Sequence, residues 1–267
     1  MKSLTNLHSL HIVALLCSAM YLVCFCQCAN SARGSVYPQF RSNNGQSIHW
    51  LPEQMPLKVY VAHGQTVENI IDPAIQAAAF NVDNRDHWTD RGAELLEHPE
   101  QVAQLPIAEG YFPAYYQAAL AGISEWKIFE KEGLFSFVFT DDPGDADIYV
   151  FWVNHLVDRL GLALFAQDFR GLTAKRSFPY SAIMAGGQAE FKPVITLLRT
   201  TDQRGQPVPL AQMQAAAAHE FGHALGIEGH STNPQDIMSL YYGRGVISPN
   251  DAATIRYLYH LTPDLVP

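Results

Sequence analysis

His219-Glu220-Phe221-Gly222-His223-Ala224-Leu225-Gly226-Ile227-Glu228-Gly229-His230 is the stretch around which the rest of the chain can be placed. It is read against the pattern H-E-x-x-H-x-x-G-x-x-H. The preceding run, Leu210 to Ala218, consists mostly of strong helix formers with no internal Gly or Pro, so the stretch begins inside a helix. There His219 and His223 stand one turn apart on the same face, and two imidazoles on one face can chelate one ion. Glu220 sits beside that face, placed to hold a water that the metal polarises. Gly226 can take the left-handed conformation that ends a helix, after which the chain turns back and His230 supplies a third nitrogen. Three neutral imidazoles with one open position make a catalytic zinc site; a closed structural site would use a fourth protein ligand. The bland alternative is a helix with incidental histidines, which a bare H-E-x-x-H would leave standing.

The extended motif resembles that of the metzincin zinc endopeptidases. Ser231, after the last histidine, is the type seen in matrixins, the matrix-metalloproteinase-like branch. Asn233-Pro234-Gln235-Asp236-Ile237-Met238 is similar to the approach to the methionine turn. The resemblance implies that Met238 forms a hydrophobic floor under the metal and that Tyr242 lines the primed-side substrate pocket. Ile247 to Tyr259 resembles the closing helix of the family. The likeness is clear over about the last sixty residues and extends more weakly back to Trp50, where the chain resembles the opening of bacterial matrixin-like domains. It implies an α+β fold: a twisted mixed five-stranded sheet, two main helices, a small C-terminal lobe and a cleft between. It also implies one catalytic Zn2+. Matrixins carry a further structural zinc and calcium sites built on H-x-D and Asp/Gly-rich loops; no such H-x-D is present, so neither ion is expected here.

The chain has 267 residues and a net charge of −9. Sparse, acidic charge argues against a nucleic-acid binder, which would show a basic stripe. At the N-terminus, Lys2 precedes the uncharged, largely apolar stretch Ile12 to Cys28, followed by small residues at Ala29, Ser31 and Ala32. This reads as a secretory signal over residues 1–32, with a membrane anchor or a lipidated leader as alternatives. All four cysteines (Cys17, Cys24, Cys26, Cys28) lie there. Once that segment is removed, no disulfide framework and no thiolate ligand remain, so no thiol-directed activation is expected.

Residues 33–49 are polar, with Gly and Pro, and read as a flexible segment leading into a catalytic domain over 50–267. Leu57 to Ala62 alternates as a first strand. Residues 64–110 form an insertion of uncertain shape, with Pro73 to Ala79 and Gly92 to Leu105 as candidate short helices; it is a candidate gate over the cleft. Pro113 to Lys131 is an amphipathic helix with Tyr116, Leu120, Ile123 and Ile128 at helical spacing. Leu134 to Phe139, Ile148 to Val153, Leu162 to Phe169 and Val194 to Leu198 read as strands, and Gly186-Gly187 marks a turn. Ala163 to Ala166 is the candidate edge for an extended peptide. Ser248-Pro249-Asn250-Asp251 is a capped helix start.

Glu228 reads as a solvated surface carboxylate. His49, His63, His87, His98, His155, Asp158 and His260 read as surface or capping residues, and Tyr241 as an ordinary core aromatic. The expected function is that of a secreted or periplasmic monomeric zinc endopeptidase acting on polypeptides, with Glu220 as general base. It has no nucleic-acid partner, and meets a membrane only through an uncleaved leader or lipid anchor. A non-catalytic peptide-binding module is the alternative, and Glu220 argues against it because a binder needs no base.

Overall fold

A computed structural model describes residues 34–67, 85–154, 170–186, 193–241 and 245–267. The strands are β1 (Leu57–Val61), β2 (Phe137–Thr140), β3 (Ile148–Val153), β4 (Gly171–Ala174), β5 (Phe178–Pro179), β6 (Val194–Arg199) and β7 (Leu265–Val266). The helices are α1 (Arg85–Glu97), α2 (Ala114–Ser124), α3 (Tyr180–Met184), α4 (Leu210–Ala224) and α5 (Pro249–His260). One sheet has five strands in the order β2-β1-β3-β6-β4. Its first four strands are parallel, and β4 runs antiparallel to β6 at the edge. The mixed five-stranded sheet with its helices is the expected α+β architecture.

β3 and β6 are buried at every position, as central strands between two covered faces are; β3 is apolar throughout, and β6 is so except for Thr196 and Arg199. Register separates those faces. Val150 pairs with Thr196 and Trp152 with Leu198, and Thr173 of β4 pairs with Thr196. These residues face α2 and α4: Trp152 stacks on Tyr115 of α2, and Thr173 bonds Glu220 of α4. The alternate residues, including Ile195, face the other way.

That second face is where the insertion goes. Gly92 of α1 lies so close to Ile195 that a Cβ there would stand 2.7 Å from its Cδ1. Leu95 is fully buried, as is Val102 in a 3-10 helix over Pro99–Gln104. Within the described part of 64–110, α1 and the 3-10 helix that follows it therefore cover the back of the sheet, away from α4. Arg85 to Asp90, polar in sequence, forms the start of α1; Pro73 to Ala79 lies outside the described residues.

The predicted Pro113 to Lys131 helix divides. α2 ends at Ser124 and continues as a 3-10 helix over Glu125–Glu132. The buried positions are Tyr115, Ala119, Gly122, Ile123, Trp126 and Phe129, whereas Ile128 is exposed. Gly122 explains the change of face. A Cβ there would stand 2.1 Å from the carbonyl of Gln214, so α2 touches the α4 backbone at a residue without a side chain.

Residues 34–49 pack as a strap. Tyr37, Phe40 and Ile48 are buried, the Tyr37 amide donates to Thr254 Oγ1 of α5, and Ile48 bridges to Leu265. The expected flexible segment is thus held against the C-terminal lobe, which a polar composition conceals. His49 is buried too, its ring nitrogens each 3.0 Å from a carbonyl, of Trp50 and Leu261. Leu162 to Phe169 and His155 with Asp158 lie outside the described residues. No described helix is long and apolar enough to cross a membrane.

Candidate metal centre

Helix α4 is buried almost all round: Ala215 to Ala218 bring its backbone close to its neighbours, and His219, Glu220, Phe221 and Gly222 follow, all buried. Its end is a Schellman turn. Gly226 has φ +118°, Ile227 donates to the carbonyl of Gly222 and Gly226 to that of His223, both at 3.0 Å. A Cβ at Gly226 would also stand 2.0 Å from the Ile48 carbonyl. This turn sends the chain back toward the helix.

His219, His223 and His230 consequently converge, with one ligand atom from each within 4.8 Å of the others. His219 Nδ1 lies 2.7 Å from the Ile237 carbonyl and His223 Nδ1 2.5 Å from that of Ile227. A carbonyl only accepts, so both Nδ1 atoms carry the proton and both Nε2 atoms offer a lone pair. Nε2 of His223 stands 3.3 Å from Nε2 of His230. Nitrogens about 2.0–2.1 Å from a tetrahedral zinc are separated by about that distance. Burial holds the imidazoles neutral. It lowers His219 to about 3 and His223 well below its ordinary value, and it lowers His230 in the same direction. Neutral, converging imidazoles fit a divalent metal of zinc type.

The letters of the motif need one correction. Ile227, Glu228 and Gly229 separate Gly226 from His230, three residues where H-E-x-x-H-x-x-G-x-x-H has two. The Schellman turn and the path after it still bring His230 to the other two.

Glu220 is buried, and Thr173 Oγ1 of β4 lies 2.8 Å from its Oε2 and 3.1 Å from Thr196 Oγ1. Gly171 makes room for it: a Cβ there would stand 2.4 Å from Glu220 Cγ. The edge strand beside the active helix is therefore β4, Gly171–Ala174; Ala163 to Ala166 lies outside the described residues. Four residues reading Gly-Leu-Thr-Ala give no β-branched run or clear alternation, so β4 escapes a sequence reading.

Met238 is fully buried, its Sδ 2.3 Å from where a Cβ on Gly222 would be. It lies against α4 at the residue between the two helical histidines. The turn before it is closed by Ser231 N donating to the Met238 carbonyl and by Asp236, which accepts from Ser231 Oγ, Asn233 Nδ2 and Ser248 Oγ. Ser248 caps α5 as expected, in a reciprocal box with Asp251. Tyr242 lies outside the described residues, and Tyr241 is 78% exposed, so it is no core aromatic. Glu228 is not a solvated carboxylate either. It is ion-paired with Lys175 at 2.5 Å, the two side chains only 12% and 6% exposed.

Residues 71–260 match the family model described as Matrixin. The chain belongs to the matrixin family. This is a zinc metallopeptidase family, which agrees with the three converging imidazoles. No curated protein matches the chain.

Proposed function

We propose that this matrixin is a secreted zinc-dependent endopeptidase, with His219, His223 and His230 as the metal ligands and Glu220 as the general base. The observation that carries the reading is the convergence of three neutral imidazoles on the helix that also holds Glu220, buried against the edge strand. When bound, zinc would polarise the attacking water and the scissile carbonyl. Glu220 takes the proton of that water on its carboxylate and returns it to the departing amine nitrogen. Thr173 donates to Oε2 and so fixes the direction in which the carboxylate points. β4 ends the sheet, and its outer edge offers backbone N–H and C=O groups to an extended peptide. Met238 supplies the apolar support under the metal, and Tyr242 a wall of the substrate pocket. The apolar leader supports export.

The test is a peptide-library digest with and without a zinc chelator, together with metal analysis. Wild type is expected to hold one zinc and to cleave only without chelator. Glu220→Gln is expected to keep the zinc and lose about 10²–10⁴-fold in rate. A loss smaller than about tenfold would remove Glu220 from the role of base. A protein that holds zinc and binds peptides but cleaves none would be a binding module.

A further inference from the structure

The loop between the second and third histidines is one residue longer than the motif allows, and something must place its end. Three contacts do so, from two distant parts of the chain. Glu228 N donates to the Phe40 carbonyl at 3.0 Å, tying the loop to the N-terminal strap. Gly229 passes so close to Gln39 that a Cβ would stand 2.1 Å from its carbonyl oxygen. From the other side comes Lys175, the residue after β4. Its Nζ lies 2.5 Å from Glu228 Oε1 and donates to the His223 carbonyl at 2.5 Å.

We propose that Lys175 and Glu228 are positioning residues for the metal centre. Their ion pair fixes the lengthened loop so that His230 meets His219 and His223, and it couples the edge strand to the ligand set. This rests on the zinc reading above. The ammonium group touches the backbone of one ligand, His223, and the carboxylate two residues before another, His230. A charge pair this enclosed is poor evidence for stability, because desolvation offsets most of its attraction. What it does supply is direction. Lys175 sits at the end of a paired strand, and among the described residues Glu228 is the carboxylate that meets its charge. The strap holds the loop by its backbone and the lysine holds it by a side chain, so the two restraints act on the same residue.

The experiment compares wild type with Lys175→Met, Glu228→Gln, the double variant and Lys175→Arg. Zinc affinity is read by competition with a chromophoric chelator, alongside kcat, KM and the melting temperature of the metal-free proteins. Expected are a loss of about 10–100-fold in zinc affinity for each single variant, no further loss in the double variant because the pair acts as one unit, and recovery to within about threefold in Lys175→Arg. A merely structural pair would lower the metal-free melting temperature and leave zinc affinity alone. That result, in a series whose wild type holds zinc, overturns the inference while the zinc reading stands. A wild type that holds no zinc overturns both. If Lys175→Met does not fold, the isosteric Glu228→Gln carries the same comparison.

Discussion

Gly171 is the residue on which the geometry of Glu220 turns. A methyl group there would enter the volume of the Glu220 side chain, 2.7 Å from its Oε1. The carboxylate cannot yield toward β6 without breaking its bond from Thr173, which is itself held by Thr196. Gly171→Ala is therefore expected to displace Glu220 and, if it is the base proposed above, to lower kcat on the order of 10²-fold, the cost of a displacement of about 1 Å in a catalytic group. Zinc content should be unchanged. Rates and metal content from one preparation decide it, and a kcat within twofold of wild type would mean that the strand gives way instead. None of this was legible in the sequence. The histidines and Glu220 announce themselves because helical spacing relates residues a few positions apart. Gly171, Thr173 and Lys175 reach the same place through strand pairing across more than forty residues, and nothing local marks them.

At the scale of elements, helix α4 is predictable and its surroundings are not. The helix formers of 210–218 and the Gly at 226 specify its course and its end. The way its last carbonyls are satisfied is a matter of tertiary structure. Trp50 Nε1 donates to the Ala224 carbonyl at 2.8 Å, Tyr259 OH to that of Leu225 at 2.9 Å, and Lys175 to that of His223. Three side chains, from Trp50 just after the strap, from α5 and from the end of β4, thus cap the helix that carries two of the proposed ligands. Replacing Trp50 by Phe keeps most of the apolar contact and removes one donor, leaving a buried carbonyl unmet. The expected cost is about 1–3 kcal/mol of stability, seen as a lower denaturation midpoint with an unchanged slope. Full stability in Trp50→Phe would show that the carbonyl finds another partner. The residues from 34 to 49 looked like a lead-in because they are polar and rich in turn formers. The buried Tyr37, Phe40 and Ile48 are spaced irregularly, and no periodic pattern marks them as core.

At the scale of the whole molecule, the sheet is the partition. One face carries α2, α4 and the three converging histidines; the other is covered by α1 and the 3-10 helix over 99–104. The insertion was illegible as a cover because α1 contains Arg85, Asp86, Asp90, Arg91 and Glu94, and only a narrow stripe of it is apolar. Two readings of 64–110 then make opposite predictions. If it were a lid over the cleft, weakening it would open the site and raise activity toward large substrates. As a back cover, its apolar contacts belong to the core, and weakening them costs stability first. Leu95 is fully buried within that core. Leu95→Ala is expected to lose about 2–5 kcal/mol, as for other leucines truncated in a core. Below the melting transition, KM should stay at the wild-type value, because the proposed site around Glu220 lies on the opposite face of the sheet from Leu95. Thermal melts and peptide kinetics on the same variant separate the readings: a lower melting temperature with unchanged KM is the signature of a cover, and a raised kcat/KM with an unchanged melting temperature would be that of a lid.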